Sequence, residues 1–218
     1  RNNMNLFNIN IPKSVIYLTV LAVIMNILRI VIWDKDSFIY ILWNIFLAFV
    51  PFVVSSFILF YYRRKRLNHF LLIFGMFIWL IFIPNAPYIV TDFIHLGEIR
   101  SIPILFDILL IFSSAIVGLI LGAHSLFHIE QIFSMKFSQR KTSIIIMTII
   151  LLISFGLYLG RFLRFNSWDI FVNHTSLIKN VWNIFSDPSS STDVFLYTLM
   201  FFFFNVFFYY SWKSSKTK

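Results

Sequence analysis

Apolar runs long enough to cross a bilayer recur six times in this chain, and no other feature constrains its fold as tightly. They lie at about Ser14–Trp33, Phe38–Tyr62, Leu67–Ile83, Ile104–Gly122, Thr142–Leu159 and Val194–Trp212. A hydrocarbon core about 30 Å thick needs roughly 20 helical residues, and in lipid only helices or closed barrels satisfy every backbone group. The expected fold is therefore all-α: one integral-membrane unit over residues 1–218 with about six transmembrane helices. Only 12% of the residues are charged, about half the usual share for a soluble domain. The net charge of +9 would suit nucleic acid only on a soluble basic module, and the sequence holds none. The lipid bilayer is the partner that fits, with basic loops facing anionic headgroups. The absence of cysteine removes disulfides and thiolate metal sites.

The first run follows a basic residue, as a signal peptide does. It lacks a small-x-small cleavage pattern and is read as a retained span. Six spans place both termini on one side. Arg1, Lys13, Arg63, Arg64, Lys65, Arg66, Lys136, Arg140, Lys141, Lys213, Lys216 and Lys218 gather there. Basic residues favour the cytoplasmic side, so both termini are expected to be cytoplasmic. Pro51, inside the second span, should bend it.

One stretch, from Pro84 to Arg100, breaks the apolar pattern with two prolines and a set of ionisable groups. It predicts a re-entrant or interfacial helix after the third span. Taken as a helix from Tyr88, it puts Tyr88, Thr91, Asp92, His95 and Glu98 on one face. Asp92 and His95 could form an acid–base pair, the carboxylate orienting the imidazole. Asp92, His95 and Glu98 at i, i+3 and i+6 also have the donors for a divalent metal such as zinc. The structural alternative is that Asp92 pairs with an arginine and His95 sits at a wet interface. Ionisable groups at membrane depth are costly and more often functional.

Arg161 and Arg164 are three apart, on one helical face. Arginine forks bind phosphate or carboxylate in a bidentate way, so the pair reads as a clamp for an anionic group. The alternative is snorkelling with salt bridges to Asp92, Asp107 or Asp169. Tyr88 and Asn85 could hydrogen-bond a substrate, although Asn85 also suits the backbone groups that Pro84 and Pro87 free. His124 and His128 are expected on a cytoplasmic connection, as a solvated face. Trp168, Phe171, Thr175, Ile178, Trp182 and Phe185 recur at spacings of three and four, predicting an amphipathic surface helix before the sixth span. A turn is expected over Asp187–Ser191.

Two blocks carry a family resemblance. Phe82-Ile83-Pro84-Asn85-Ala86-Pro87-Tyr88-Ile89-Val90-Thr91-Asp92-Phe93-Ile94-His95-Leu96 and Gly160-Arg161-Phe162-Leu163-Arg164-Phe165-Asn166-Ser167-Trp168-Asp169 resemble an uncharacterised bacterial integral-membrane family, domain of unknown function 1361. The resemblance implies a multi-spanning protein of a bacterial plasma membrane and supplies no reaction. From the residues alone, the expected function is an extracytoplasmic polar site acting on an anionic lipid or lipid-linked envelope precursor. Asp92 and His95 would be catalytic, and Arg161, Arg164, Tyr88 and Asn85 would bind the substrate. A non-enzymatic accessory subunit or a transporter of the cell envelope is the alternative. The apolar centres of spans one, five and six argue against an ion-coupled pump.

Overall fold

The computed structural model describes residues 11–96, 102–186 and 188–216. Among them are only helices: α1 Lys13–Trp33, α2 Tyr40–Arg63, α3 His69–Phe82, α4 Asn85–Tyr88, a 3-10 helix Ile89–His95, α5 Ile104–Ser134, α6 Gln139–Phe162, α7 Asp169–Val172, α8 His174–Ser186 and α9 Pro188–Lys216. Six segments are long and apolar enough to cross a membrane, one of them the whole of His69–His95. This is an all-α polytopic membrane protein.

The 31-residue α5 is the central post. α1, α2, α4, the 3-10 helix, α6 and α9 all pack on it. Its buried positions include Ser113, Ser114, Ala115, Gly118 and Ala123. Lipid is as apolar as leucine, so helices in a bilayer hold together by close packing, which small residues permit. α3 is the opposite case. It packs on α2, and Trp79 is the one residue within it that is buried. Trp79 Nε1 donates to Ser125 Oγ at 2.7 Å, and that hydroxyl reaches the Pro51 carbonyl at 2.9 Å. α2 stays helical through Pro51.

The third span does not stop at Ile83. Ile83, Pro84, Tyr88 and Ile89 all hold right-handed helical geometry, so the helix after span three is its continuation, in short turns. Glycines seat it. A Cβ on Gly118 of α5 would collide with the Ala86 carbonyl oxygen, and one on Gly122 would lie 3.1 Å from the Ala86 Cβ. On α6, a Cβ on Gly156 would lie 2.7 Å from Pro84 Cγ, and one on Gly160 3.1 Å from the Tyr88 ring. The bend is thus clamped between two helices that leave out side chains where it passes.

Three expectations need correction. The fourth span runs to Ser134, not Gly122, so His124 and His128 lie within it rather than on a connection. The His124 ring stands 4.5 Å from that of Trp212, and His128 Nδ1 shares a hydrogen bond with Ser55 Oγ at 3.1 Å. Polar residues made this stretch look like a loop. Tertiary contacts take in much of that polarity: Glu130 accepts from Tyr209 Oη at 2.5 Å and from Lys213 Nζ at 2.7 Å, while the buried His124 Nε2 has no hydrogen-bond partner among the described residues. The turn expected over Asp187–Ser191 is helical from Pro188, a residue favoured at the first helical position, while Asp187 lies outside the described residues. The surface helix is interrupted at Asn173, with Ile178 and Trp182 of α8 exposed.

Candidate functional site

A cavity of about 580 Å³ opens between α2, α3, α4 and α6. Its polar end is built from Asn44, Asn85, Tyr88, Asp92, His95, Arg161, Asn166 and Ser167. Its other walls are apolar: Leu47 of α2, Phe77, Leu80 and Ile81 of α3, and Leu152, Phe155 and Leu159 of α6. Such volumes lie within the about 300–1,000 Å³ typical of small-molecule sites.

Asp92 is the anchor of the polar end. It sits on the 3-10 helix, where residues three apart eclipse, so Asp92 and His95 reach the cavity together. Its side chain is 1% exposed. Asn44 Nδ2 donates to its Oδ2 at 3.1 Å, and Arg161 Nη1 donates to its Oδ1 at 3.4 Å. The pair is loose. Arg161 Nη1 also lies 3.4 Å from Tyr88 Oη, and Nη2 donates to the Thr91 carbonyl at 2.9 Å. Arg161 Nε is buried and has no hydrogen-bond partner among the described residues. The guanidinium carbon stands 5.8 Å from the centre of the Tyr88 ring. Thr91 Oγ1 ties the turn to the Tyr88 carbonyl at 2.7 Å.

Asn85 does two things at once. Its Nδ2 donates to the Phe82 carbonyl at 2.9 Å, the backbone role expected beside two prolines, and to Ser167 Oγ at 2.7 Å. The second bond fastens the chain leaving α6 across the cavity. The Tyr40 and His95 rings meet edge to face at 5.9 Å.

The structure therefore brings Asp92, His95, Arg161, Tyr88 and Asn85 to one cavity. It does not bring Arg164. α6 ends at Phe162, and Arg164 takes a left-handed conformation, φ 56°, with its side chain exposed and outside the cavity lining. Phe165 N–H then returns to the Leu159 carbonyl at 3.2 Å, the kind of closure a left-handed residue gives a helix end. Glu98, the third metal donor considered, lies outside the described residues. Among those described, no three His, Asp or Glu side chains gather for an ion.

Sequence reasoning missed Asn44, Ser167 and the apolar walls. Asn44 had one signal, an amide inside an apolar run, and no spacing linked it to Asp92, 48 residues on. No curated protein and no solved structure matches this chain. One family model, described as a protein of unknown function (DUF1361), matches residues 43–208. That range takes in most of the chain and every residue of the cavity lining except Tyr40, and the chain belongs to this family.

Proposed function

We propose that the cavity is the working site of a membrane enzyme acting on an anionic lipid or lipid-linked envelope precursor. The observation that carries this reading is the meeting of Asp92, His95 and Arg161 at the polar end of an otherwise apolar cavity. Arg161 holds the anionic group, since its Nε has no hydrogen-bond partner among the described residues. Asp92 and His95 move the proton, with Asn44 fixing one carboxylate oxygen. Tyr88 and Asn85 orient the bound group. The basic residues cluster at the other end of the bundle, so the cavity faces the extracytoplasmic side of a bacterial plasma membrane, with both termini cytoplasmic.

The test is a comparison of lipid extracts by mass spectrometry from cells with the gene, without it, and carrying His95→Ala, Asp92→Asn or Arg161→Gln. A lipid or lipid-linked precursor accumulating in the deletion and in all three variants, at unchanged protein abundance, supports the enzyme. Unchanged lipids throughout overturn it and turn the reading to an accessory subunit of envelope machinery.

A further inference from the structure

We infer that the ligand is a long-chain amphiphile that enters sideways from the bilayer, between α3 and α6, its tail lying in the apolar part of the cavity and its anionic head at Arg161. This rests on the reading of Arg161 as the head-group residue and adds where the tail lies and how it gets there. The argument begins with the rim. Phe77 of α3 and Leu152 of α6 line the cavity and are also 47% and 46% exposed, so the cavity wall is continuous with the outer face of the bundle. Trp43 of α2, another lining residue, is 52% exposed. A mouth rimmed by Phe, Leu and Trp repels a water-borne ion and admits hydrocarbon.

The packing leaves room for such a mouth. α3 rests on α2, and α6 rests mainly on α9. The two sides meet at one end, where Gly156 and Gly160 of α6 seat Pro84 and the Tyr88 ring and Arg161 reaches Tyr88 and Asp92. Across the gap runs the segment from Asn166 through α7. Trp168 meets Trp43 edge to face at 6.5 Å, and Phe171 meets Phe77 in the same way at 6.5 Å. The Asn85–Ser167 hydrogen bond pins one end of this strap. Its outward residues Phe171 and Val172 are 54% and 79% exposed, which suits contact with lipid and not with water.

The charge inside complements the rim. Arg161 has its side chain 9% exposed, and its Nε has no hydrogen-bond partner among the described residues. An anionic head reaching it supplies that partner, while the tail stays among Phe77, Leu80, Leu152 and Phe155. Phosphate and carboxylate heads share this chemistry.

The test uses the purified full chain in phosphatidylcholine vesicles with a trace of phosphatidylglycerol carrying a diazirine in its acyl tail. After illumination, peptides are mapped by mass spectrometry. The expected result is at least several-fold more labelling of the peptides around Phe77–Ile81 and Leu152–Leu159 than of the lipid-exposed Phe203–Phe207 stretch. The same tail on an uncharged fatty alcohol should label the cavity walls less. Glycerol phosphate in the water should not compete, because a tail is needed to pass the rim. Leu152→Trp, which narrows the mouth, and Arg161→Gln, which removes the charge, should each lower cavity labelling separately. Arg164→Gln, an exposed charge outside the cavity lining, should leave it unchanged. Equal labelling of cavity and control stretches overturns the inference, and competition by glycerol phosphate assigns the site to a soluble anion instead. Tail labelling in a protein whose deletion leaves cell lipids unchanged would keep this inference and sink the enzyme reading.

Discussion

Arg29–Asp107 and Arg161–Asp92 are the same two residue types paired inside one bundle, yet their surroundings differ in every respect that matters. Arg29 meets Asp107 with two nitrogens, Nε at 3.1 Å and Nη2 at 3.2 Å. Its third nitrogen donates to Ser37 at 2.6 Å, and its carbon lies 4.0 Å from the centre of the Phe38 ring. Both side chains are essentially closed off, 1% and 2% exposed. Arg161 touches Asp92 with one nitrogen at 3.4 Å, spreads its other contacts over Tyr88 and Thr91, and leaves Nε unpartnered among the described residues beside a cavity. A buried ion pair in which every guanidinium nitrogen and both carboxylate oxygens have a partner is a fastening. One held loosely at the edge of a cavity has capacity left for a ligand. Desolvation makes both costly, so the second is the one whose retention calls for a function.

The comparison breaks first at the closed pair. Asp107→Ala should lose about 3–5 kcal/mol of stability, because it strands a buried guanidinium. Denaturant unfolding in detergent micelles measures this. The double variant Arg29→Met with Asp107→Leu should regain most of the loss. Asp92→Asn at the open pair should cost about 1 kcal/mol, the scale of one net hydrogen bond, while reproducing the lipid accumulation of the deletion. Equal stability losses at the two pairs would erase the distinction.

The glycine seat sharpens it next, since only the open pair depends on the bend it holds. Gly118→Ala drives a methyl into the Ala86 carbonyl and should cost about 1–3 kcal/mol, as overpacking does. Gly75→Ala meets only the movable end of Ile58, at 3.1 Å. It should stay within about 1 kcal/mol of wild type, because alanine favours the helix. The same unfolding measurement decides between them.

Arg161→Lys keeps the charge and loses the fork. It should weaken retention of phosphatidylglycerol roughly tenfold, about 1.4 kcal/mol, with little change in unfolding. Co-purified lipid quantified by mass spectrometry reads this out. The smallest effect belongs to Arg164. Arg164→Gly relieves a left-handed non-glycine residue and should gain roughly 1 kcal/mol without touching the lipid phenotype. Loss of function there would return Arg164 to the site.

Much of the site could be read ahead of the structure because ionisable groups stand out against apolar runs. Asp92, His95 and Arg161 were found that way. A spacing of three groups Arg164 with Arg161, and it holds only while the helix lasts. The left-handed residue that ends α6 is an arginine rather than the usual glycine, so no stop signal was visible there. His124 and His128 read as loop residues for the mirror-image reason. Their polarity resembles a connection, whereas His128 meets Ser55 of α2 and the His124 ring packs on Trp212 of α9 inside the bundle.

The chain by itself determined the helical class, the six spans and the place where the third changes from one long helix to short turns. These follow from local physics: apolar length against bilayer thickness, and proline against helical hydrogen bonding. Tertiary structure alone decided which aspartate each arginine meets. Asp107 lies 78 residues from Arg29, and Asp92 lies 69 from Arg161. It also decided that one pair is closed and the other open. Whether a polar atom is satisfied depends on what distant segments bring to it, and no spacing along a helix records that.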